Sequence, residues 1–217
     1  MSKRIIQINV QTLAQILEKG RGDFLDLKSF NHYKRHSIYQ YRNQLLTTFL
    51  DQAIDLDQIA RTEFGKPFLP DFPQFSFNHS HSQKHYALAT SDKIRDLGVD
   101  IEDLDRKVRF EALAKHAFHP EEWDNWKSLD FGLDYWFKVW TTKEAVLKAS
   151  GLGIRLSLNE LNTHIHPEQD GGVCEHQMIG HFAYQNFTLP HAMLTVAWQA
   201  DLSCRGFAFP MIQIVQG

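Results

Sequence analysis

A chain of 217 residues, 43% hydrophobic and 12% aromatic, can bury a sizeable core as one or two compact domains, which excludes a disordered or low-complexity protein. Its 23 Lys and Arg against 26 Asp and Glu give a formal charge of −3, so bulk charge does not hold a polyanion and nucleic acid is not an expected partner. Two cysteines, Cys174 and Cys204, make one bridge at most and lack zinc-site spacing, and no apolar run reaches the length of a membrane span; a soluble, cytoplasmic protein is the expectation.

Residues 5–10 alternate like a strand, and 12–20 reads as a short helix stopped by Gly20. The segment 25–51 carries Ile38, Tyr41, Leu45, Leu46 and Phe49 at helical spacing, with Lys34, Arg35 and Arg42 interspersed as a solvated face. Gly65-Lys66-Pro67 is a turn signal, because glycine permits positive φ and proline fixes the next φ; the turn is expected to present Lys66 outward. In 74–82 (QFSFNHSHS), Phe75 and Phe77 mark a strand with a polar end, where Ser80 and His81 can donate hydrogen bonds to a phosphate. His79, His81 and His85 have no carboxylate or thiolate at a helpful spacing, so no zinc site is read there. Residues 86–90 form another strand, and the charged connector 91–96 marks a subdomain boundary, giving parts 1–96 and 97–217.

Within 97–103 (LGVDIED), Val99 and Ile101 alternate with Asp100 and Glu102, which puts both carboxylates on one strand face roughly 7 Å apart. Like charges that close resist joint ionisation unless a cation or open water compensates them. Arg106, Lys107 and Arg109 follow as a basic cluster, then helices over 111–117 and 121–126. Pro120 suits the first turn of the second, and Glu122 there suits the helix dipole.

The stretch 134–153 (DYWFKVWTTKEAVLKASGLG) spaces Trp136, Val139, Trp140, Val146 and Leu147 as an amphipathic helix, with Asp134 as N-cap and Gly151 as stop. Glu144 and Lys148 stand one turn apart on its polar edge, an exposed pair worth about 0.2–0.5 kcal/mol if isolated. Lys143 points into the apolar stripe, either snorkelling over it or reaching a phosphate from the helix edge. If Glu144 joins Asp100 and Glu102, the three form an all-oxygen site of the kind Mg²⁺ accepts beside a substrate phosphate. Residues 154–161 alternate apolar and polar, and 181–200 holds two strand-like runs around Pro190; both read as a terminal sheet.

Together, GKP at 65–67, FNHSHS at 77–82, GVDIE at 98–102, FHPEEW at 118–123 and WTTKEAVLKASGLGI at 140–154 resemble, in order and spacing, the 4′-phosphopantetheinyl transferases of the larger, surfactin-synthesis type. The resemblance spans roughly residues 35–161. It implies an α+β monomer of two pseudo-symmetric halves, each a small antiparallel sheet with packed helices, and an active site between them. It also implies transfer of the phosphopantetheine arm of coenzyme A to a serine of an apo acyl or peptidyl carrier protein, releasing 3′,5′-ADP. By motif, Asp100, Glu102 and Glu144 are the expected Mg²⁺ ligands and Lys148 the pyrophosphate contact, while Lys66, Ser80, His81 and Arg42 match coenzyme A phosphate contacts. The serine proton is expected to pass to Glu144, to a water on the metal or to Glu122. The 106–109 cluster is expected to steer an acidic carrier. His79 departs from the family, which usually has an apolar residue there. Two other readings are a non-catalytic module that binds coenzyme A or a carrier, and a metal-dependent phosphodiesterase that transfers to water.

Overall fold

Which face of each strand is apolar decides how this α+β chain stacks. The computed structural model describes residues 3–200 and 209–217. In chain order these form β1 (Ile5–Thr12), a one-turn α1 (Leu13–Ile16), α2 (Leu27–Leu50), the short strands β2 (Ala60–Arg61) and β3 (Pro67–Phe68), β4 (Ser76–His81), β5 (His85–Ser91) and β6 (Gly98–Asp103). Helices α3 (Phe110–Ala117), α4 (Pro120–Ser128) and α5 (Leu133–Ser150) follow, then β7 (Gly171–His176), β8 (Gly180–Thr188), β9 (Ala192–Gln199) and β10 (Met211–Gln216).

One sheet has the order β10-β1-β5-β4, antiparallel except for the parallel β1–β10 pair; the other is the antiparallel β6-β9-β8-β7. Alternation sends Ile6, Ile8, Ala87 and Ala89 from the first sheet against Val99, Ile101, Leu194 and Val196 of the second, so the sheets pack face to face. Tyr86, Leu88 and Phe77 point the other way, under Ile38 and Leu46 of α2. Phe182, Tyr184, Met193 and Ala197 likewise meet Trp136, Val139, Val146 and Ala149 of α5. The result is four layers: α2, sheet, sheet, α5. The expected boundary falls between β5 and β6, and β10 returns from the end of the chain to pair with β1.

Several local expectations need correction. The helix expected over 12–20 is the single turn α1, because Leu17 is already extended and only Leu13 is buried. The alternation in 154–161 belongs to two 3-10 turns, Gly153–Arg155 and Leu158–Glu160; Leu156 and Leu161 still reach the core under α5, from loops. Asp134 is not the N-cap of α5, which is Gly132, but lies in its first turn, where the dipole still favours it. Gly151 does end the helix, at φ 74°. Cys174 is buried and free, while Cys204 lies outside the described residues.

The seat of α5 on β6 depends on one missing side chain. A Cβ on Gly98 would lie 2.1 Å from the Ala145 carbonyl oxygen and 2.4 Å from the Ala149 nitrogen, both backbone atoms that cannot swing aside. Gly98→Ala should therefore lift α5 off the strand, lowering stability by about 1–3 kcal/mol in urea melts. An unchanged unfolding midpoint would show that helix and strand are not in this contact.

Candidate active site

The outward face of β6 carries Asp100 and Glu102 under α5, while Val99 and Ile101 face the inter-sheet core. Beside β6 lies the polar end of β4, and three side chains from three elements meet there. Ser80 Oγ donates to Asp100 Oδ1 at 2.8 Å, and Lys148 Nζ donates to the same oxygen at 2.6 Å and to Ser80 Oγ at 2.8 Å. Lys148 reaches this point from the last turns of α5, one turn beyond Glu144. On the other side, Glu102 Oε1 accepts from Trp140 Nε1 at 3.2 Å and pairs with Arg106. Trp140 is held flat against Trp136, ring centroids 5.2 Å apart, so its indole donor is fixed.

Electrostatics couples Glu102 and Glu144 each to Asp100. Burial, then the charge of Asp100, raises Glu102 to about 7. The same two causes, in the same order, raise Glu144, with Lys148 and Arg106 opposing them. Glu144 thus stands in the field of Asp100, although the two come from different elements. Asp100 Oδ2 is buried with no hydrogen-bond partner.

Among the described residues, no three His, Cys, Asp or Glu side chains are arranged as a ready metal cage. Asp100 and Glu102 are engaged by Lys148 and Arg106. The donor chemistry nevertheless fits a hard cation. Three carboxylates would supply oxygen ligands, one buried oxygen is orphaned, and burial followed by the charge of Asp100 holds two of the acids above their ordinary range.

A pH dependence follows. Between the unfolded Glu value near 4.5 and the folded value of about 7, the folded state holds more protons at Glu102 than the unfolded state, so its contribution to stability falls as pH rises through that window. Without divalent ions, wild type should lose thermal stability relative to Glu102→Gln from pH 4.5 to 7 and level off above. A constant difference across that range would contradict the assignment.

A second, cationic region lies along β4 and α2. His81 is crowded: desolvation lowers its pKa, and Lys34 and Lys148 add to that. Arg42 is 2% exposed, donates through Nε and Nη2 to Asn43 Oδ1, and lies over the Tyr39 ring with no ion-pair partner among the described residues. His79 projects to the same side; burial, then Arg42, lowers it to about 3, so it is neutral at physiological pH. Its Nδ1 and the Tyr86 hydroxyl are buried without partners. Lys34, read from sequence as part of a wet face, is half-buried, and desolvation lowers its pKa.

Four expected placements change. Lys66 does not point outward: its ammonium donates to the Ala149 carbonyl and pairs with Asp96 at 3.3 Å, tying the Gly65–Pro67 turn to the end of α5. Lys143 neither snorkels nor reaches a phosphate, since it is fully buried, pairs with Glu122 at 2.7 Å and donates to the Leu158 and Leu161 carbonyls. Glu122, expected among the catalytic acids, is 1% exposed and accepts from the His119 and Thr163 amides, both at 2.8 Å, as well as from Lys143. That geometry leaves it no access to an incoming hydroxyl. Arg106 is drawn from the basic cluster onto Glu102, leaving Lys107 and Arg109 exposed. Trp140 and Arg106 were the site neighbours that sequence reasoning missed; the spacing of Trp140 one turn before Glu144 was the available signal.

Residues 96–196 match the family model of the 4′-phosphopantetheinyl transferase superfamily. The chain is 34% identical over 135 residues to the 4′-phosphopantetheinyl transferase Sfp of Bacillus subtilis, covering 59% of this chain and 58% of that protein. It is 39% identical over 110 residues to the 4′-phosphopantetheinyl transferase HetI of a Nostoc species, covering 48% and 46%. With a putative 4′-phosphopantetheinyl transferase of Haemophilus influenzae it shares 33% identity over 154 residues, covering 67% and 63%. The chain thus spans about half to three-fifths of the length of the curated relatives it matches. The matched region contains all of β6 and α5 with Asp100, Glu102 and Glu144, so the likeness to the 4′-phosphopantetheinyl transferases rests on the residues that build this site.

Proposed function

We propose that this chain transfers the 4′-phosphopantetheine arm of coenzyme A to a serine of an apo acyl or peptidyl carrier protein, with Mg²⁺ as cofactor. The observation that carries the reading is the meeting of Ser80, Asp100 and Lys148 beside Glu144 and Glu102, where surplus negative charge and a fixed ammonium stand together. Asp100, Glu102 and Glu144 would hold the cation, which when bound offsets charge on the diphosphate oxygens. Lys148 neutralises the pyrophosphate. His81 and Ser80 bind and orient the other phosphate groups of coenzyme A, helped by Lys34; Lys66 would join them only by leaving Asp96 and the Ala149 carbonyl, and the buried Arg42 acts on them from beneath through its charge.

In the reaction, the serine oxygen forms a bond to the phosphorus of the phosphopantetheine phosphate. The bond from that phosphorus to the bridging oxygen breaks, and 3′,5′-ADP leaves with the electron pair. Glu144, one turn before Lys148 on α5, is the proposed acceptor of the serine proton. Glu122 has no part in that step. We assign the coenzyme A contacts chiefly to residues 1–96 and the acidic site to 97–217 of a soluble, cytoplasmic monomer. The two parts are taken as pseudo-symmetric.

Mass spectrometry tests this. Incubation with coenzyme A, Mg²⁺ and either an apo acyl carrier protein or an apo peptidyl carrier domain should add one phosphopantetheine to the carrier and release 3′,5′-ADP. Free phosphopantetheine with unmodified carrier would favour the phosphodiesterase reading, and bound but unconsumed coenzyme A the binding module.

A further inference from the structure

The end of β4 and the end of β6 are joined by a residue that takes no part in the acidic cluster. Asp103 is the last residue of β6, is 3% exposed, and its carboxylate closes around the tip of the β4–β5 hairpin. Oδ1 accepts from Ser82 Oγ at 2.6 Å and meets His85 Nδ1 at 2.6 Å, while Oδ2 accepts from the backbone amides of Gln83 and Lys84 at 3.0 and 3.1 Å. One carboxylate thus gathers four donors from four consecutive residues. Ser82 Oγ in turn accepts from the amides of Lys84 and His85, so the tip is organised around this pair.

Without Asp103 the Gln83 amide would lose its partner, and the hydrogen bonds left between the hairpin and β6 among the described residues would be Ser80 with Asp100 and Asn78 Oδ1 accepting from the Val99 amide at 2.9 Å. Those ties lie before His81, and the Asp103 tie lies just after it. His81 is therefore bracketed between two points of attachment to the strand that carries Asp100 and Glu102. The charge of Lys34 on α2 is felt at His81, and that of Asp103 at Lys34.

We infer that Asp103 is a positioning residue that sets His81 and Ser80 against the acidic cluster, and so governs how coenzyme A is held. The inference rests on the proposed function. Asp103 touches no reacting atom in this account. It acts by removing motion from the hairpin, and a displacement of about 1 Å in a positioning group can cost a reaction on the order of 10²-fold.

Steady-state kinetics with coenzyme A and an apo peptidyl carrier domain, alongside calorimetric titration of coenzyme A, tests it. Asp103→Ala should raise the KM and Kd for coenzyme A by about tenfold, because His81 and Ser80 lose their fixed placement, while the KM for the carrier stays unchanged. Asp103→Asn keeps one carbonyl acceptor and should fall between wild type and Asp103→Ala; it also serves if the alanine variant fails to fold. Lys84→Ala, which removes only the exposed pair with Asp105, should leave both KM values unchanged. Unaltered coenzyme A affinity in folded Asp103→Asn and Asp103→Ala would overturn the inference, as would equal losses toward both substrates in step with the unfolded fraction. Failure of wild type itself to bind coenzyme A would instead overturn the proposed function.

Discussion

Glu144→Gln is expected to lower transfer by about 10²–10⁴-fold, the range ascribed to a positioned general base, with further loss if a cation ligand goes with it. The same substitution should leave the fold intact or slightly firmer. The Glu144 carboxylate makes no hydrogen bond among the described residues, and its charge is opposed by burial and by Asp100, so a neutral amide removes a repulsion. The two effects have opposite signs, and that separates a site residue from a structural one. Single-turnover assays with matched thermal melts make the comparison. Near-wild-type turnover in Glu144→Gln would remove it from the chemistry, and a large fall in melting temperature would make it part of the scaffold.

Lys143→Met should show the reverse pattern. It leaves the Glu122 carboxylate buried without its counter-ion, although the His119 and Thr163 donors remain. Breaking a buried pair from one side costs about 3–5 kcal/mol, a large share of the 5–15 kcal/mol that holds a typical domain. The double variant Lys143→Met, Glu122→Gln should recover most of the loss, because no unpaired charge is then buried. Urea unfolding of wild type, both single variants and the double variant closes the cycle. If Lys143→Met kept full stability but lost affinity for coenzyme A, the ammonium would be a phosphate contact after all.

Those two neighbours on one helix show what sequence could and could not reveal. Helical periodicity placed Glu144 and Lys148 on the polar edge of α5, and strand alternation placed Asp100 and Glu102 on one face of β6, because both patterns are local. The orientation of Lys143 was legible as an oddity; its cause was not, since Glu122 and the Leu158 and Leu161 carbonyls come from elsewhere in the chain. Lys66 was misplaced for a similar reason. A solvated turn is the natural reading of Gly-Lys-Pro, and only the folded chain brings the end of α5 within its reach. Strand β7 is not legible in the sequence because Gly171, Gly172, Glu175 and His176 obscure its alternation, and β10 joins the first sheet through a parallel pairing with the far end of the chain. The Asp103 clasp was equally invisible: each of its bonds depends on the hairpin folding back beside β6.

In the proposed reaction Asp100, Glu102 and Glu144 together bind one divalent ion, with Lys148 alongside. Crystals grown with Mn²⁺ and coenzyme A test it through anomalous scattering. A single anomalous peak within bonding reach of all three carboxylates, with Lys148 on the pyrophosphate, is the predicted result. A fully occupied coenzyme A with no metal peak there, and Lys148 still bonded to Asp100, would contradict it.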